Sequence, residues 1–545
     1  MMKRRYRDWL LLLVVCAVVF GFKVGDRVFW GRHGESRRAE VSREMVASGE
    51  WIIPHLNGDP FITKPPLYYW AAALAFTLSG NIDEFSARIP SLIAGTLGVL
   101  LIYLWASAIF SRRVGLLSGI VLATNFLYAG MARTAGVDMM LTLFTTAALC
   151  CFSLGLQAKQ GPSMYLLATV WMGLGMMTKN PIGLAVPLLA IAGYILVTRH
   201  WKLILDTKPW WGFLIILAIV LPWFLLVYLR EPNFFEVLHQ ETLGRYTDPD
   251  GTPHLEPFYY YIPSLGAFAP WVAFLPAVII SLISQGVRRL SQSYIFLLIA
   301  SATTFILFSS VGSKREYYLL PLYPLLAILV GKVWDEYLSM KAQTPQRWTW
   351  KSVDIPITGF AGLLCAVGVG LPIAARIYLP DYLLSGIGFG ILFVALGIVM
   401  FIRFFKGKTE ETFWMYSLAT ICLYLFALTT IVPEMDRYRS RKDFFHEARE
   451  VVADHPVVDY KYEGFDVQFY LQRLVNYCLT PDELQAFLEQ HESVFIVTTG
   501  KEYDKLQREA PELLERLDVI QQRTWTSATN PGSQKRLVLL KEQSL

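Results

Sequence analysis

The stretch MMKRRYRDWLLLLVVCAVVFGFKVGDRVFWGRHGESRRAEVSREM, residues 1–45, carries Lys3, Arg4, Arg5 and Arg7 at its start and then runs through an almost uninterrupted apolar segment. It leaves that segment into a cluster holding Arg32, His33, Glu35, Arg37, Arg38, Glu40, Arg43 and Glu44. A basic start before an apolar run is the mark of a signal segment or of a first membrane span. No small-residue cleavage site follows, so the run at 9–29 reads as an uncleaved span. Basic residues before a span hold that end in the cytoplasm. The cluster from Trp30 onward then emerges on the opposite face.

The whole chain supports this reading. Of its 545 residues 54% are hydrophobic and only 17% charged, with mean hydropathy +0.41, whereas soluble domains carry about 25% charged residues. Sixteen Trp and 27 Tyr suit aromatic belts at two interfaces. A net charge of +5 with no basic block gives no sign of a nucleic-acid partner. Five of the six cysteines lie in apolar runs and only Cys478 does not, so no structural disulfide is expected.

Runs close to the roughly 20 residues that cross a bilayer fall near 9–29, 88–110, 114–132, 138–157, 164–178, 181–198, 210–229, 262–284, 293–311, 317–337, 355–376, 382–403 and 412–432. These make about 13 transmembrane helices. The run at 66–80 is shorter and reads as an interfacial or re-entrant helix. With the N-terminus inside, the loops on that side are short and mostly basic, as the positive-inside rule requires. The other face receives the loop at about 30–87, "ARTAGVD", "TKNP", 230–261, "GSKRE" and 376–381. The expected fold class is therefore a polytopic α-helical membrane protein, with residues 1–432 as its transmembrane domain. From 433 to 545 the composition becomes that of a soluble α/β domain on the same face as the opening cluster, with strand-like stretches such as "SVFIVTTG" and "KRLVLLK".

The external face gathers Glu35, Arg37, Glu40, Lys64, Arg133, Asp138, Lys179, His239, Glu241, Arg245, His254, Lys314 and Arg315. Snorkelling or a topology signal accounts for any single cation in such a set. The set as a whole runs against the charge bias of this face, and a cationic cavity suits an anionic substrate, most simply a phosphate. In "FITKPPLYYW" the Pro65–Pro66 pair restrains the backbone around Lys64 and holds its ammonium near headgroup depth. Lys314 and Arg315 open a span, with Tyr317 and Tyr318 behind them.

"ESRRAEVSREM", "HLNGDPFITKPPLYYW", "EFSARIPSLIAG", "ARTAGVDMMLT", "GLGMMTKNPIGL", "PHLEPFYYYIP" and "SKREYYLLPLYP" together resemble the bacterial dolichyl-phosphate-mannose–protein mannosyltransferase family. These are GT-C membrane glycosyltransferases related to the aminoarabinose transferase that modifies lipid A. The resemblance implies a polyprenyl-phosphate sugar donor such as an undecaprenyl phosphate, transfer on the extracytoplasmic face of the bacterial inner membrane, and inversion at the anomeric carbon. The acceptor it implies is a lipid, glycan or protein. One specific expectation is 4-amino-4-deoxy-L-arabinose transferred to lipid A. Carried over by position, Glu35 and Arg37 match a Glu and an Arg of the first external loop, and Asp138 the acidic residue of the second. Gly34 stands where the family has its catalytic Asp, so the base is expected at Glu35 or Asp138, with His33 as a third candidate. Lys64, Arg245 and Tyr318 match phosphate ligands, joined by Arg37 and Lys314. Relatives carry a Glu before the lysine that binds a metal with a His. Thr63 fills that place here, which leaves His239 a weak metal candidate and a divalent cation an open question. The competing readings are a lipid-linked-sugar flippase and a degenerate homologue; a flippase should show internal repeats, and none is visible.

Overall fold

The computed structural model of the chain describes residues 2–29, 34–157, 161–241, 256–286, 290–340, 350–462, 464–526 and 534–543. Two compact units emerge. The first comprises Met1–Val24, Thr63–Tyr68 and Pro90–Thr430, and the second Gly25–Ile62, Tyr69–Ile89 and Ile431–Leu545.

The first unit is helical. Among the described residues eight helices are long and apolar enough to cross a bilayer, or ten when each of two bent pairs is taken as one span. All thirteen runs expected from hydropathy fall on helices, the first of them, 9–29, only as far as Gly21. Three of them, Met2–Cys16, Gly161–Met176 and Ile182–Thr198, have 15, 16 and 17 residues, short for a span of about 20. Met2–Cys16 continues as a π turn, Ala17–Gly21. Arg133 donates to Phe20 O at 2.8 Å and Val19 O at 3.2 Å, serving carbonyls of that turn. Arg133, one of the cations expected on the external face, thus has a structural task.

The two bent pairs are Arg112–Ala123 with Phe126–Ala132 (70°) and Phe258–Phe268 with Trp271–Gln285 (107°). Hydropathy foretells neither bend. A break exposes backbone groups that lipid cannot satisfy, and here the two breaks satisfy each other. Phe126 N donates to Ala269 O at 3.0 Å, and Trp271 Nε1 donates to Thr124 Oγ1 at 3.0 Å. The Asn125 side chain caps the second half of the first pair by accepting from Tyr128 N. The run at 66–80 folds as Leu67–Ser79, 13 residues long and, at 1.5 Å per residue, too short to span.

The second unit contains the helix Glu35–Ser48, a small hairpin and a five-stranded sheet. The hairpin strands β1 (His55–Leu56) and β2 (Asp59–Pro60) are antiparallel. They turn on Asn57 and Gly58 at φ +55° and +85°, the left-handed pair that an Asn-Gly sequence favours. Asn57 Nδ2 donates to Val475 O and Asn57 Oδ1 accepts from Val475 N, at 2.7 and 2.8 Å. An amide side chain here imitates a strand partner.

The sheet has order β4-β3-β5-β7-β6, from β3 (Val457–Tyr460), β4 (Asn476–Cys478), β5 (Phe495–Thr499), β6 (Leu517–Thr526) and β7 (Gln534–Glu542). β3 pairs in parallel with β4 and β5, while β7 is antiparallel to β5 and β6. Val458, Ile496, Val538 and Leu540 of the inner strands form a core with Leu484, Leu488 and Leu506 of the flanking helices. β3 is buried at every residue and β5 at all but its last, as in strands covered on both faces.

Candidate active site

Within the first unit, two segments distant in sequence bring lysines, and a third brings a tyrosine, to one cavity of about 80 Å³. Lys64 enters on the Pro65–Pro66 turn, whose exit is tied down where Leu67 N donates to Met177 O at 3.1 Å. Lys179 sits on the turn between Gly161–Met176 and Ile182–Thr198. That turn is tight because two glycines meet: a Cβ on Gly183 would stand 2.1 Å from the Gly175 carbonyl carbon. Lys179 N donates to Gly175 O and Lys179 O accepts from Gly183 N. Tyr318 comes from the 3₁₀ helix Glu316–Leu322. Asn180, Ser313 and Glu241 complete the polar lining, with Phe308, Val311, Pro181 and Ile182 as its apolar wall.

Each lysine of the cavity holds a carboxylate. Lys64 Nζ forms an ion pair with Glu241, and their side chains are 20% and 23% exposed. Lys179 Nζ donates to Asp138 Oδ1 at 2.6 Å and stands 4.2 Å from the centre of the Tyr318 ring, a cation–π contact. Burial draws the Lys179 ammonium down, but Asp138 and then Tyr318 outweigh it and leave it above its ordinary value. Asp138 occupies the first turn of the helix Val137–Gly155, where the helix dipole favours an anion. Tyr318 packs edge to face on Tyr317, centroids 5.1 Å apart.

Lys314 does not line this cavity. Its ammonium donates to Glu256 O at 2.6 Å, and burial pulls it below its ordinary value. His239 ends the short helix Phe234–His239 and is exposed. Arg245, His254 and His33 lie outside the described residues.

Glu35 and Arg37 belong to the second unit, at the start of Glu35–Ser48. Glu35 accepts from Arg88 Nε at 2.8 Å and from Nη2 at 3.0 Å, with the two side chains 6% and 0% exposed. Arg88 also donates to Arg27 O at 2.6 Å and lies over the Phe29 ring. This is a bidentate, dry ion pair that joins the helix start to Arg88 and the 27–29 backbone. The Arg37 guanidinium lies 5.5 Å from the centre of the Phe61 ring. Gly34, just before Glu35, has φ +157° and ψ −111°, the mirror image of an extended residue. Glycine adopts that conformation and side-chain-bearing residues rarely do, so the family's Asp would be strained in this backbone.

Sequence reasoning placed Lys179 and Glu241 among the external charges without assigning them to the site. The signals were present: "TKNP" is a short polar turn between two apolar runs, and Glu241 lies in the same inter-span stretch, 230–261, as Arg245. Arg88, buried in "EFSARIPSLIAG", went unmarked because an Arg near a span end reads as a topology signal. Among the described residues no group of three His, Cys, Asp or Glu side chains is placed to hold a metal, and Thr63 offers no carboxylate.

Against known proteins, the profile of the dolichyl-phosphate-mannose-protein mannosyltransferase family matches residues 63–226, and that of the Alg9-like mannosyltransferase family matches 253–379. An undecaprenyl phosphate-α-4-amino-4-deoxy-L-arabinose arabinosyl transferase of Pectobacterium atrosepticum is 30% identical over 469 residues, 82% of this chain and 81% of that protein. The enzyme of the same name from Edwardsiella ictaluri is 29% identical over 445 residues, covering 79% and 78%. In structure, the chain resembles ArnT from Cupriavidus metallidurans bound to undecaprenyl phosphate. The TM-score is 0.77 at 22% identity, with 97% of each chain covered. The alignment with the Pectobacterium enzyme spans most of both chains, and the chain belongs to the family of undecaprenyl phosphate-aminoarabinose arabinosyl transferases, multi-pass membrane glycosyltransferases of the GT-C fold.

Proposed function

We propose that the protein transfers 4-amino-4-deoxy-L-arabinose from undecaprenyl phosphate to lipid A at the periplasmic face of the inner membrane. The observation that carries this reading is the pairing of Lys64 and Lys179 around one small cavity beside Tyr318. Lys64, Lys179, Tyr318 and Arg245 take the donor phosphate, with Arg37 and Lys314 as further cations of the same face. The undecaprenyl phosphate leaving group departs as an anion. It needs no general acid, only cations where its charge grows. The acceptor attacks the anomeric carbon from the opposite side, and the configuration inverts.

A hydroxyl acceptor would require a carboxylate to take its proton. A lipid A phosphate brings its own nucleophilic anion. Asp138 Oδ1 is already engaged by Lys179 and Glu35 by Arg88, which favours the phosphate acceptor. In this reading Asp138 positions Lys179, and serves as base for an acceptor that needs one. Glu35 anchors the start of its loop. The 433–545 domain lies on the same face and supports the acceptor.

The test is transfer in nanodiscs from undecaprenyl phosphate carrying radiolabelled 4-amino-4-deoxy-L-arabinose to purified lipid A. Label should reach lipid A with the wild type and stay on the donor with Lys64→Ala. Donor bound but never consumed would identify a degenerate homologue, and sugar carried across the bilayer without transfer would identify a flippase.

A further inference from the structure

We infer that Glu241 is the residue that selects a donor whose sugar carries an ammonium group over one whose sugar is neutral. The inference rests on the donor phosphate taking Lys64, as proposed above. Around the cavity each described lysine has a carboxylate of its own: Glu241 for Lys64 and Asp138 for Lys179. A phosphate arriving at Lys64 competes with Glu241 for the same ammonium. Both side chains are about four-fifths covered, so water compensates only part of what the carboxylate loses when its cation turns toward the phosphate.

A donor bearing one negative phosphate and one positive sugar amine removes that cost. It exchanges one ion pair for two, phosphate to Lys64 and ammonium to Glu241, and leaves the charge of the cavity unchanged. A donor whose sugar carries a hydroxyl in place of the amine offers Glu241 a hydrogen bond and no charge. Sites built around a specific polar partner reject an analogue that lacks it far more strongly than apolar pockets reject a shape. Glu241 and Lys64 both line the one cavity, and a phosphate and the sugar it carries lie next to each other in the donor, as the exchange requires. The second carboxylate, Asp138, stands behind Lys179 and does not line the cavity, which leaves Glu241 as the acidic side chain that meets the sugar among the described lining residues.

The experiment compares two synthetic undecaprenyl-phosphate donors in nanodiscs, one carrying 4-amino-4-deoxy-L-arabinose and the other L-arabinose. For each, donor affinity and kcat/KM are measured for the wild type, Glu241→Gln and Glu241→Asp. The wild type should prefer the amino donor by about 10²-fold or more. Glu241→Gln should lose that preference to within about threefold, through a loss on the amino donor and a gain on the neutral donor, whose phosphate no longer competes with a carboxylate for Lys64. Glu241→Asp, which keeps the charge one methylene further back, should fall between them and covers the case in which the amide variant does not accumulate. A Glu241→Gln enzyme that keeps the wild-type preference overturns the inference and leaves the proposed donor standing. So does a variant that loses both donors equally, because Glu241 would then only shape the site. A wild type that favours the neutral donor, or binds neither, overturns the inference and the proposed donor together.

Discussion

The cavity of the first unit and the Glu35–Arg88 pair of the second are both built on cation–carboxylate pairs and do opposite things. In the second unit the carboxylate and the guanidinium meet twice, at 2.8 and 3.0 Å, and both are all but sealed from solvent. Further backbone acceptors surround the arginine. Nothing in that arrangement is available to a substrate without unfolding the loop. In the first unit each cavity lysine, Lys64 and Lys179, meets its carboxylate through one ammonium on a flexible stem, and the cavity beside it stays partly open. Such pairs can exchange partners. A planar fork locked into a bidentate pair suits structure, and a compact ammonium on a flexible stem suits a site that must release one anion for another.

Substitutions sharpen that contrast, and the largest effect is expected on transfer. Lys64→Ala should lower kcat/KM by about 10²–10³-fold, the usual cost of removing one preorganised charge from a developing anion. Its melting temperature should stay close to the wild type's; a large fall would place Lys64 with the structural pairs. Next comes Arg88→Ala, which leaves Glu35 buried without its bidentate partner. It should cost about 3–5 kcal/mol, read as a lowered melting temperature or loss of the folded protein. Replacing both partners at once by Glu35→Leu and Arg88→Met should recover most of that stability, because a buried ion pair exchanged for apolar side chains of similar size is often close to neutral. If Glu35 is an anchor, the double variant also keeps its transfer activity.

Smaller effects are expected at Lys179. Lys179→Ala should reduce transfer by about 10-fold or more, the order of one charge-assisted hydrogen bond. With Asp138→Asn added, the loss should be less than the product of the single losses, since the two residues act as a unit. Strict multiplication would separate their roles.

The smallest effect concerns pH. Glu40 is fully buried on Glu35–Ser48, and burial pushes its carboxyl up to about 7 despite a bidentate pair with Arg43. Its folded value is above its unfolded one, so its contribution to stability is complete below the unfolded value and is lost as pH rises through about 7. The melting temperature should fall by a few degrees from pH 5 to pH 8, and Glu40→Gln should flatten that slope.

Much of the fold was legible from hydropathy, since helices in lipid must satisfy their own backbone and therefore announce themselves as long apolar runs. Each of the thirteen runs falls on helix, the first only as far as Gly21, and the strand-like stretches after residue 433 became β3 to β7. The bends at Thr124–Asn125 and Ala269–Pro270 were not legible. They depend on hydrogen bonds between residues more than 140 positions apart, which no local pattern encodes. In the site, Lys64 and Tyr318 were marked by their neighbours, a Pro-Pro pair and a tyrosine doublet, and the structure brings both to the cavity. Lys179 reached it only because Gly175 and Gly183 let two helices close on each other, a packing event invisible to a charge count. Glu35 was marked as a candidate base because a motif records residue type and not partners, and its partner Arg88 lies 53 residues away.

The central claim is that the donor phosphate is held by the exchangeable lysine pairs of the cavity and not by the locked pair at Glu35. Titrating undecaprenyl phosphate into nanodiscs that hold the wild type, Lys64→Ala or the Glu35→Leu/Arg88→Met variant tests it most directly. Saturable binding should be the same in the wild type and the double variant, and about 10²-fold weaker in Lys64→Ala. Unchanged binding in Lys64→Ala, or its loss in a folded double variant, would contradict the account.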